Sequence, residues 1–262
     1  MKLFLMMLMA AAAACAPAAV QLEVPLHSGG YIIDGNITPA ETALCVNDTL
    51  RMATGYERPA HTTVFHVGAT LQGLYVAFQC DEKDTSNIIA LATAQGGAVF
   101  DDDSVQVFLC PDREINNSNY YHFAINPTGV QYSSNMADDT AVSGWTAKTI
   151  KTDTGWSAEI FIPFASIKAP QELKFWRANF LRNRPAREAQ SEQAEITSWQ
   201  QVGNLIHNFQ RFGFLQMPRL VPPPPGALTY QPASLTATKV LPKITATTTT
   251  ISTTSITSQT IP

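Results

Sequence analysis

Residues 155–163 read Gly-Trp-Ser-Ala-Glu-Ile-Phe-Ile-Pro, and this stretch decides the fold class. Every second position from Trp156 to Ile162 is apolar, whereas Ser157 and Glu159 lie between them. Side chains of a strand point alternately to its two faces, so the alternation predicts a β-strand with one buried face. A strand of that kind is typical of a two-layer sandwich.

Similar short runs, rich in Val, Ile, Phe, Tyr and Thr, recur from residue 20 to residue 217 between clusters of Gly, Asn and Asp. The clearest of them are 62–68, 74–80, 104–110, 120–126, 146–152, 156–163 and 174–183. The charged stretch 186–195 has no apolar stripe and is predicted to be a loop. Roughly 200 residues can bury one two-layer core, so we expect a single all-β domain over 20–217.

The first 19 residues have the order of a secretory signal peptide. Lys2 is followed by an apolar run to about Ala14 and then by small residues through Ala19. The run is shorter than the roughly 20 residues of a membrane span, so we expect no transmembrane segment. The protein is therefore predicted to be secreted or to lie in the cell envelope, periplasmic or extracellular. In an alternative interpretation, Cys15 is lipidated and anchors the protein to a membrane.

The composition changes after Met217. Pro222–Pro225 cannot join a sheet, and Thr, Ser and Ile dominate from Thr245 onward. Such a segment has too little apolar mass to offset its ordering entropy, so 218–262 is predicted to be a disordered tail. The alternative is an extra edge strand over 247–256, because that segment is rich in β-branched residues.

The charge of the protein limits the ligands that it can bind, and its cysteine content limits the disulfides that it can form. The formal net charge is −4, and removal of Lys2 with the signal leaves 16 basic against 21 acidic residues. No basic block is present, so we expect no nucleic-acid partner, whereas a neutral ligand such as a sugar is compatible. Cys80 and Cys110 each end a predicted strand and are candidates for a disulfide in an exported protein. The alternative is three buried thiols, with Cys45 as the third.

Nine short segments follow one another along the predicted domain. They are Ile33-Asp34-Gly35-Asn36-Ile37, Leu74-Tyr75-Val76-Ala77-Phe78, Asp103-Ser104-Val105-Gln106-Val107-Phe108, Tyr121-His122-Phe123-Ala124-Ile125-Asn126, Gly155-Trp156-Ser157-Ala158-Glu159-Ile160, Ile162-Pro163-Phe164, Asn179-Phe180, Thr197-Ser198-Trp199 and Arg211-Phe212-Gly213-Phe214-Leu215. This ordered set resembles the family 9 carbohydrate-binding modules and their secreted bacterial relatives. The resemblance implies an antiparallel β-sandwich of jelly-roll type that holds a sugar end between two Trp rings, often with structural calcium nearby.

Three positions of the implied sugar site keep suitable chemistry. Phe100 stands where the resemblance places the first clamping Trp, so an aromatic platform remains. Gln106 stands in place of a Glu and still bonds hydroxyls, without charge assistance. The acidic residue just after the second clear strand is retained as Asp81.

Two other positions of that site are lost. Ala124 stands where the family has an Arg, and the second clamping Trp falls near Ile206, with His207 and Phe209 as substitutes. These losses keep open the alternative of a structural sandwich whose sugar site has decayed.

We predict a sugar-binding cleft on the strands that carry Phe100, Gln106, His122 and Asn179. Phe100 would stack on the apolar face of a sugar, while Asp81 and Gln106 would bond its hydroxyls. Ser104, Gln106 and Phe108 are expected to face this cleft, because Val105, Val107 and Leu109 point to the buried side.

Two further interpretations concern larger side chains. Arg182 belongs to a cluster with Arg177, Arg184 and Arg187, which either lines a sugar or uronate site or forms ion pairs. The expected partners of those pairs are Glu188, Glu192 and Glu195. Trp199 is a candidate for a sugar platform, with the sandwich core as the alternative.

Metal binding and catalysis have weaker signals. Asp101, Asp102 and Asp103 offer oxygen ligands for calcium, and the alternative is a solvated turn. No G-x-S-x-G, H-E-x-x-H or P-loop motif occurs, so we expect a binding module and not an enzyme.

The sequence thus predicts a secreted module that binds a poly- or oligosaccharide, serves polysaccharide degradation and accompanies glycoside hydrolases. A rival function is a b-type haem electron-transfer sandwich of the same superfamily. Its axial ligands would be one Met and one His, for which Met52, Met136, His66, His122 and His207 are available.

Overall fold

We analysed the protein as a computed structural model, which describes residues 21–55, 57–111, 119–170, 174–187 and 191–218. They all belong to one unit of the chain, Met1–Gly226, while the other unit, Ala227–Pro262, lies outside the described residues. The predicted signal peptide and Cys15 lie outside them, as does the predicted tail beyond Pro218. No helix in the described part of the chain is long and apolar enough to cross a membrane.

The described residues form thirteen strands, one short α-helix, α1 (Pro39–Thr42), and three 3₁₀ turns at Thr85–Asn87, Val99–Asp101 and Phe209–Arg211. The strands are β1 (Gln21–Glu23), β2 (Val46–Thr49), β3 (Arg51–Met52), β4 (Thr63–Ala69), β5 (Gly73–Asp81), β6 (Ser104–Cys110), β7 (Tyr121–Ile125), β8 (Gln131–Asn135), β9 (Thr146–Thr152), β10 (Gly155–Pro163), β11 (Phe175–Arg184), β12 (Glu195–Ser198) and β13 (Gly213–Gln216). The predicted all-β fold is therefore confirmed.

The strands divide into two sheets. The small sheet has the order β2-β4-β5-β10-β9 and is antiparallel throughout. The large sheet has eight strands, six of them in the order β1-β13-β11-β6-β7-β8, while β12 pairs with β11 and β3 pairs with β12. Its one parallel pair is β1 with β13, at the edge. Some neighbours in the sheet are far apart in the sequence. The strand β6 lies between β7, which follows it directly along the chain, and β11, which comes much later.

The core lies between the two sheets and follows the predicted alternation. Trp156 and Ile160 of the small sheet meet Val105, Val107 and Leu109 of the large sheet in one apolar cluster. Gln106 and Phe108 consequently point to the other side of the large sheet, as predicted.

The second face of β10 is also covered, contrary to prediction, since Glu159 is buried and Ser157 and Phe161 are half-buried. Glu159 is 0% exposed, because the segment around Tyr31 and Gly35 covers the outer face of the small sheet. Its carboxylate accepts hydrogen bonds from the Gly35 amide at 2.7 Å and from Tyr75 Oη at 2.6 Å. Burial raises the pKa of Glu159 despite these donors. Gly68 admits the covering ring, since a Cβ there would lie 2.1 Å from Tyr31 Oη.

The candidate disulfide is not formed. Cys80 lies in the core between the sheets, whereas Cys110 lies on the outer side of the large sheet with Phe108. The strand of Cys110 therefore separates the two thiols, and the proposed pairing is wrong. The alternative of three buried thiols holds for these two, but Cys45 is partly exposed. Burial raises the pKa of Cys80 to about 12, which keeps that thiol neutral.

Candidate functional site

Gln106 and His122 meet on the outer face of the large sheet. Gln106 lies on β6 opposite Ala124, and His122 lies on β7 opposite Phe108, so the two polar side chains are diagonal neighbours. His122 Nε2 is 2.9 Å from Gln106 Oε1. The two residues are 2% and 1% exposed, so they form a floor beneath other side chains.

Aromatic rings enclose the imidazole of His122. Phe100 stacks on it with ring centroids 5.3 Å apart and an interplanar angle of 23°, and Phe108 stacks at 4.3 Å and 12°. Tyr132 meets its edge at 5.4 Å. Phe100 and Tyr132 are themselves only half-buried, so both reach the surface.

His207 completes the group. Its ring centroid lies 5.3 Å from that of His122, and its Nδ1 lies 2.9 Å from Tyr120 Oη. It belongs to the loop before β13, and its side chain is exposed. Phe209 of the same loop stacks near Tyr120 at 6.1 Å. We call Phe100, Gln106, His122, Tyr132 and His207 the outer-face cluster.

The outer-face cluster is electrically neutral. Burial, followed by the neighbouring His207, lowers the pKa of His122 to about 3. Burial also lowers the pKa of His207 below its usual range. Both imidazoles are therefore uncharged near neutral pH. Among the described residues, neither the Gln106 amide nitrogen nor His122 Nδ1 has a hydrogen-bond partner. The two N–H groups of the amide and the lone pair of Nδ1 are therefore left for a ligand.

Side chains below the surface hold the loop that carries Phe100. The Asp102 carboxylate accepts from the Leu91 amide at 2.8 Å and from Asn126 Nδ2 at 2.9 Å. Asn183 Nδ2 donates to the Phe100 carbonyl at 2.8 Å and to the Asp102 carbonyl at 2.9 Å. The backbone around Phe100 is thus fixed from two sides.

The three aspartates do not converge on a metal position. Asp102 binds backbone amides, and Asp103 accepts from the Ile89 amide at 2.8 Å and from Arg187 Nη2 at 2.5 Å. Asp101 alone is exposed. Within the described ranges, no group of three or more His, Cys, Asp or Glu is arranged to hold an ion. The solvated-turn alternative is also wrong for Asp102 and Asp103, because both are buried.

Three of the four clustered arginines, Arg182, Arg184 and Arg187, form ion pairs at one end of the sandwich. Arg177 instead donates to the Gln210 carbonyl and lies over the Phe214 ring. Arg182 points between the sheets, opposite Val105, and donates to the Asp81 carbonyl at 2.9 Å. Arg184 Nε lies 2.7 Å from Glu82 Oε2. We call Glu82, Asp103, Arg182, Arg184 and Arg187 the buried ionic network. The idea that Arg182 lines the sugar site is therefore wrong, and ion pairing is confirmed.

The partners of the ionic network differ from those expected. Glu192 does bind Arg184, but the central carboxylate is Glu82, which sequence reasoning missed. Glu195 pairs with His61 at 3.2 Å instead. Glu188 lies outside the described residues.

Three other predicted site residues also lie away from the outer-face cluster. Asp81 is exposed on the outer face of the small sheet, across the sandwich from Gln106. Trp199 lies in the core, 5.7 Å from the Phe180 ring, so its platform role is wrong. Asn179 shares the outer face with Phe108, but its side chain binds the backbone of Gln200.

The structure thus brings together Phe100, Gln106 and His122, whose role in binding stays a prediction. It adds His207, which the sequence offered as a substitute for the second ring, and Tyr132, which the sequence did not reveal. The strand β8 that carries Tyr132 reads Gln-Tyr-Ser-Ser-Asn, which has too few apolar residues to be recognised as a strand.

Comparisons with known proteins agree with this architecture. A family model described as "Carbohydrate family 9 binding domain-like" matches residues 33–219. A family 9 module from Caldicellulosiruptor kristjanssonii, solved with cellotriose, is 18% identical, with a TM-score of 0.58 over 81% of this chain and 100% of that one. Its structure with glucose gives 18% identity and a TM-score of 0.55 over 76% and 96%. At such identity the likeness shows the fold alone. No curated protein matches.

Proposed function

Because this chain belongs to the carbohydrate family 9 binding domain-like family, we propose that it is a non-catalytic carbohydrate-binding module with its sugar site at the outer-face cluster. The observation that carries the proposal is the hydrogen-bonded pair Gln106–His122 beneath two half-buried rings, Phe100 and Tyr132. Sugars combine apolar C–H faces with hydroxyls, so a site needs rings and neutral polar groups together.

Two grooves elsewhere on the described part of the molecule are less suited to binding a sugar. One, with a volume of about 380 Å³, lies beside Asp81 and Gln79 on the small sheet. Its one aromatic ring, Trp156, points into the core between the two sheets and cannot serve as a platform. The other groove, near Lys174 and Met217, has no aromatic ring in its lining.

The chemistry of the outer-face cluster favours a neutral sugar. The amide of Gln106 donates, the imidazole of His122 is uncharged, and both are fixed in place by their mutual hydrogen bond. Arg182, Arg184 and Arg187 are buried in ion pairs, and Arg177 lies over the Phe214 ring on the β13 side of β11. None of these four contacts the outer-face cluster to supply a cation for a uronate. A uronate would lose its hydration without a charged partner, whereas hydroxyls would be matched.

We further propose that the module is exported and serves polysaccharide degradation beside glycoside hydrolases. The support is the signal-like order of residues 1–19 and the Ser/Thr/Pro composition of residues 218–262, which suits a spacer. Detection of the mature protein outside the cytoplasm, without residues 1–19, would test the export.

Calorimetric titration with a panel of sugars tests the binding function. The panel would hold glucose, cellotriose, neutral plant and algal polysaccharides and a uronate oligomer. We expect binding of at least one neutral member and none of the uronate. Failure of every member to bind would overturn the proposal, and tight binding of the uronate alone would overturn the choice of a neutral ligand.

A further inference from the structure

His122 and His207 are the two imidazoles that meet in the outer-face cluster. Their ring centroids are 5.3 Å apart and their planes make an angle of 82°. They come from β7 and from the loop before β13, so the fold and not the local sequence brings them together. One nitrogen of each ring is engaged by a neutral oxygen, of Gln106 or of Tyr120, at 2.9 Å.

These neutral oxygens leave the other nitrogen of each ring for a ligand. A Gln carbonyl oxygen only accepts, so His122 Nε2 carries the proton and its lone pair lies on Nδ1. Tyr120 Oη can accept from His207 Nδ1, which places the second lone pair on Nε2. Among the described residues neither lone pair has a partner. In metal sites, the imidazole ring is oriented by a hydrogen bond from the ring nitrogen that does not bind the metal.

The spacing of the rings fits a shared metal ion. A bond between a metal ion and an imidazole nitrogen is about 2.0–2.1 Å long, and the ring centre lies about 1.1 Å behind that nitrogen. Two imidazoles that bind one metal ion at a tetrahedral angle therefore have ring centroids about 5.2 Å apart. The observed separation is 5.3 Å.

We propose that His122 and His207 form a two-imidazole site for a divalent transition metal of the Cu²⁺, Ni²⁺ or Zn²⁺ class. Solvent would fill the remaining positions, since the described residues offer no third His, Cys, Asp or Glu there. His207 is exposed and gives the ion a path from solvent to the buried His122. Nitrogen ligands favour Cu²⁺ most, whereas calcium prefers oxygen.

Copper titration of tag-free protein lacking residues 1–19, followed by calorimetry and electron paramagnetic resonance, tests the site. We expect one Cu²⁺ per chain with hyperfine coupling to imidazole nitrogen, and no response to Ca²⁺. The His207→Ala variant, altered at an exposed residue, should lose affinity at least tenfold. His27→Ala is the matched control, because His27 contacts Tyr31 away from the large sheet, and it should bind as the unaltered protein does.

Equal copper affinity in His207→Ala, or a copper signal without imidazole coupling, would overturn the site. His122→Ala gives a second check, provided that its circular dichroism matches that of the unaltered protein. The inference does not depend on sugar binding, which is measured on the metal-free protein. Copper at this pair with no bound sugar would overturn only the proposed function, and sugar binding without copper would overturn only the metal site.

Discussion

Two polar regions of this molecule differ in how their side chains are satisfied. In the buried ionic network, Glu82 and Asp103 are paired with arginines at distances down to 2.5 Å. In the outer-face cluster, Gln106 and His122 bind one another and each keeps an atom without a partner among the described residues. Charges that neutralise each other inside a protein support its structure, whereas neutral groups with free hydrogen-bonding capacity beneath partly exposed rings can serve a ligand.

The network connects three parts of the chain that lie far apart in sequence. Glu82 follows β5, Asp103 precedes β6, and the arginines end β11. Burial raises the pKa of Glu82, but its contacts with Arg184, His61 and Arg182 outweigh burial, so the pKa is lowered overall. Asp103 differs, because burial outweighs its contacts and raises its pKa. The network therefore fixes the end of the sandwich next to the loop that carries Phe100.

The largest expected effect is on stability. Glu82→Ala would leave buried guanidinium groups without their central partner and should cost about 3–5 kcal/mol in the free energy of unfolding. Glu192→Ala is the matched control, since its carboxylate binds the same Arg184 but its side chain is 42% exposed. That change should cost about 1 kcal/mol or less in denaturant unfolding. Equal costs for the two variants would contradict a structural role for the network.

The next largest effect is expected on sugar affinity, and it can be measured apart from the effect on stability. Phe100→Ala should weaken sugar binding by about 1–3 kcal/mol, by analogy with the stacking of bases on aromatic rings. It also removes ring contacts with His122 and Tyr132, so unfolding should become easier, though by less than the roughly 3–5 kcal/mol of a fully buried Phe. The control is Phe161→Ala on the outer face of the small sheet. If both variants bound sugar equally well, the site would lie elsewhere.

Single residues show how much of the structure could be predicted from the sequence. The alternation in 104–110 placed Gln106 on the outer face, because strand periodicity is a local property. No local property links Arg184 to Glu82, which is 102 positions away, and the expected partners were simply the nearest glutamates. Likewise, β10 showed one apolar face, but only the tertiary fold reveals that the segment near Tyr31 covers Glu159.

The candidate site shows the same limit. Phe100 and His122 were identified from order along the chain. Phe100 lies in the turn before β6 and His122 lies on β7, and these two strands are neighbours in the sheet. Asp81 looked equally suitable as a hydroxyl acceptor, yet it belongs to the other sheet. A sequence motif does not state which of two packed sheets carries a residue, so acidic residues near strand ends were assigned by resemblance alone.

A smaller effect on sugar affinity is expected when the hydrogen bonds that hold the backbone at Phe100 are removed. Asn183→Ala removes both hydrogen bonds to the backbone at Phe100 and Asp102 without touching a ligand. We expect sugar affinity to fall by about 0.5–1.5 kcal/mol, because the loop loses its fixed position. Calorimetry against Asn87→Ala, which changes a half-buried asparagine bound to Asp84, measures the difference. An unchanged affinity would show that Phe100 is held without Asn183.

The smallest expected effect is that of pH on sugar affinity. The pKa of His122 is lowered to about 3, so lowering the pH from 8 to 5 leaves its imidazole neutral. We therefore expect a constant dissociation constant across that range. The pKa of His207, the other imidazole of the cluster, is lowered as well. A loss of affinity as the pH falls through 6.5, the usual imidazole pKa, would therefore contradict a neutral cluster as the sugar site.

The central claim is that ligands bind at the neutral outer-face cluster and not at the charged network. Nuclear magnetic resonance titration of the ¹⁵N-labelled protein with the best-binding neutral sugar tests it most directly. The account predicts that the side-chain amide of Gln106 and the ring of His122 shift as the sugar saturates, while the guanidinium signals of Arg182 and Arg184 stay in place. Shifts confined to those arginines or to the surroundings of Asp81, with Gln106 unmoved, would contradict it.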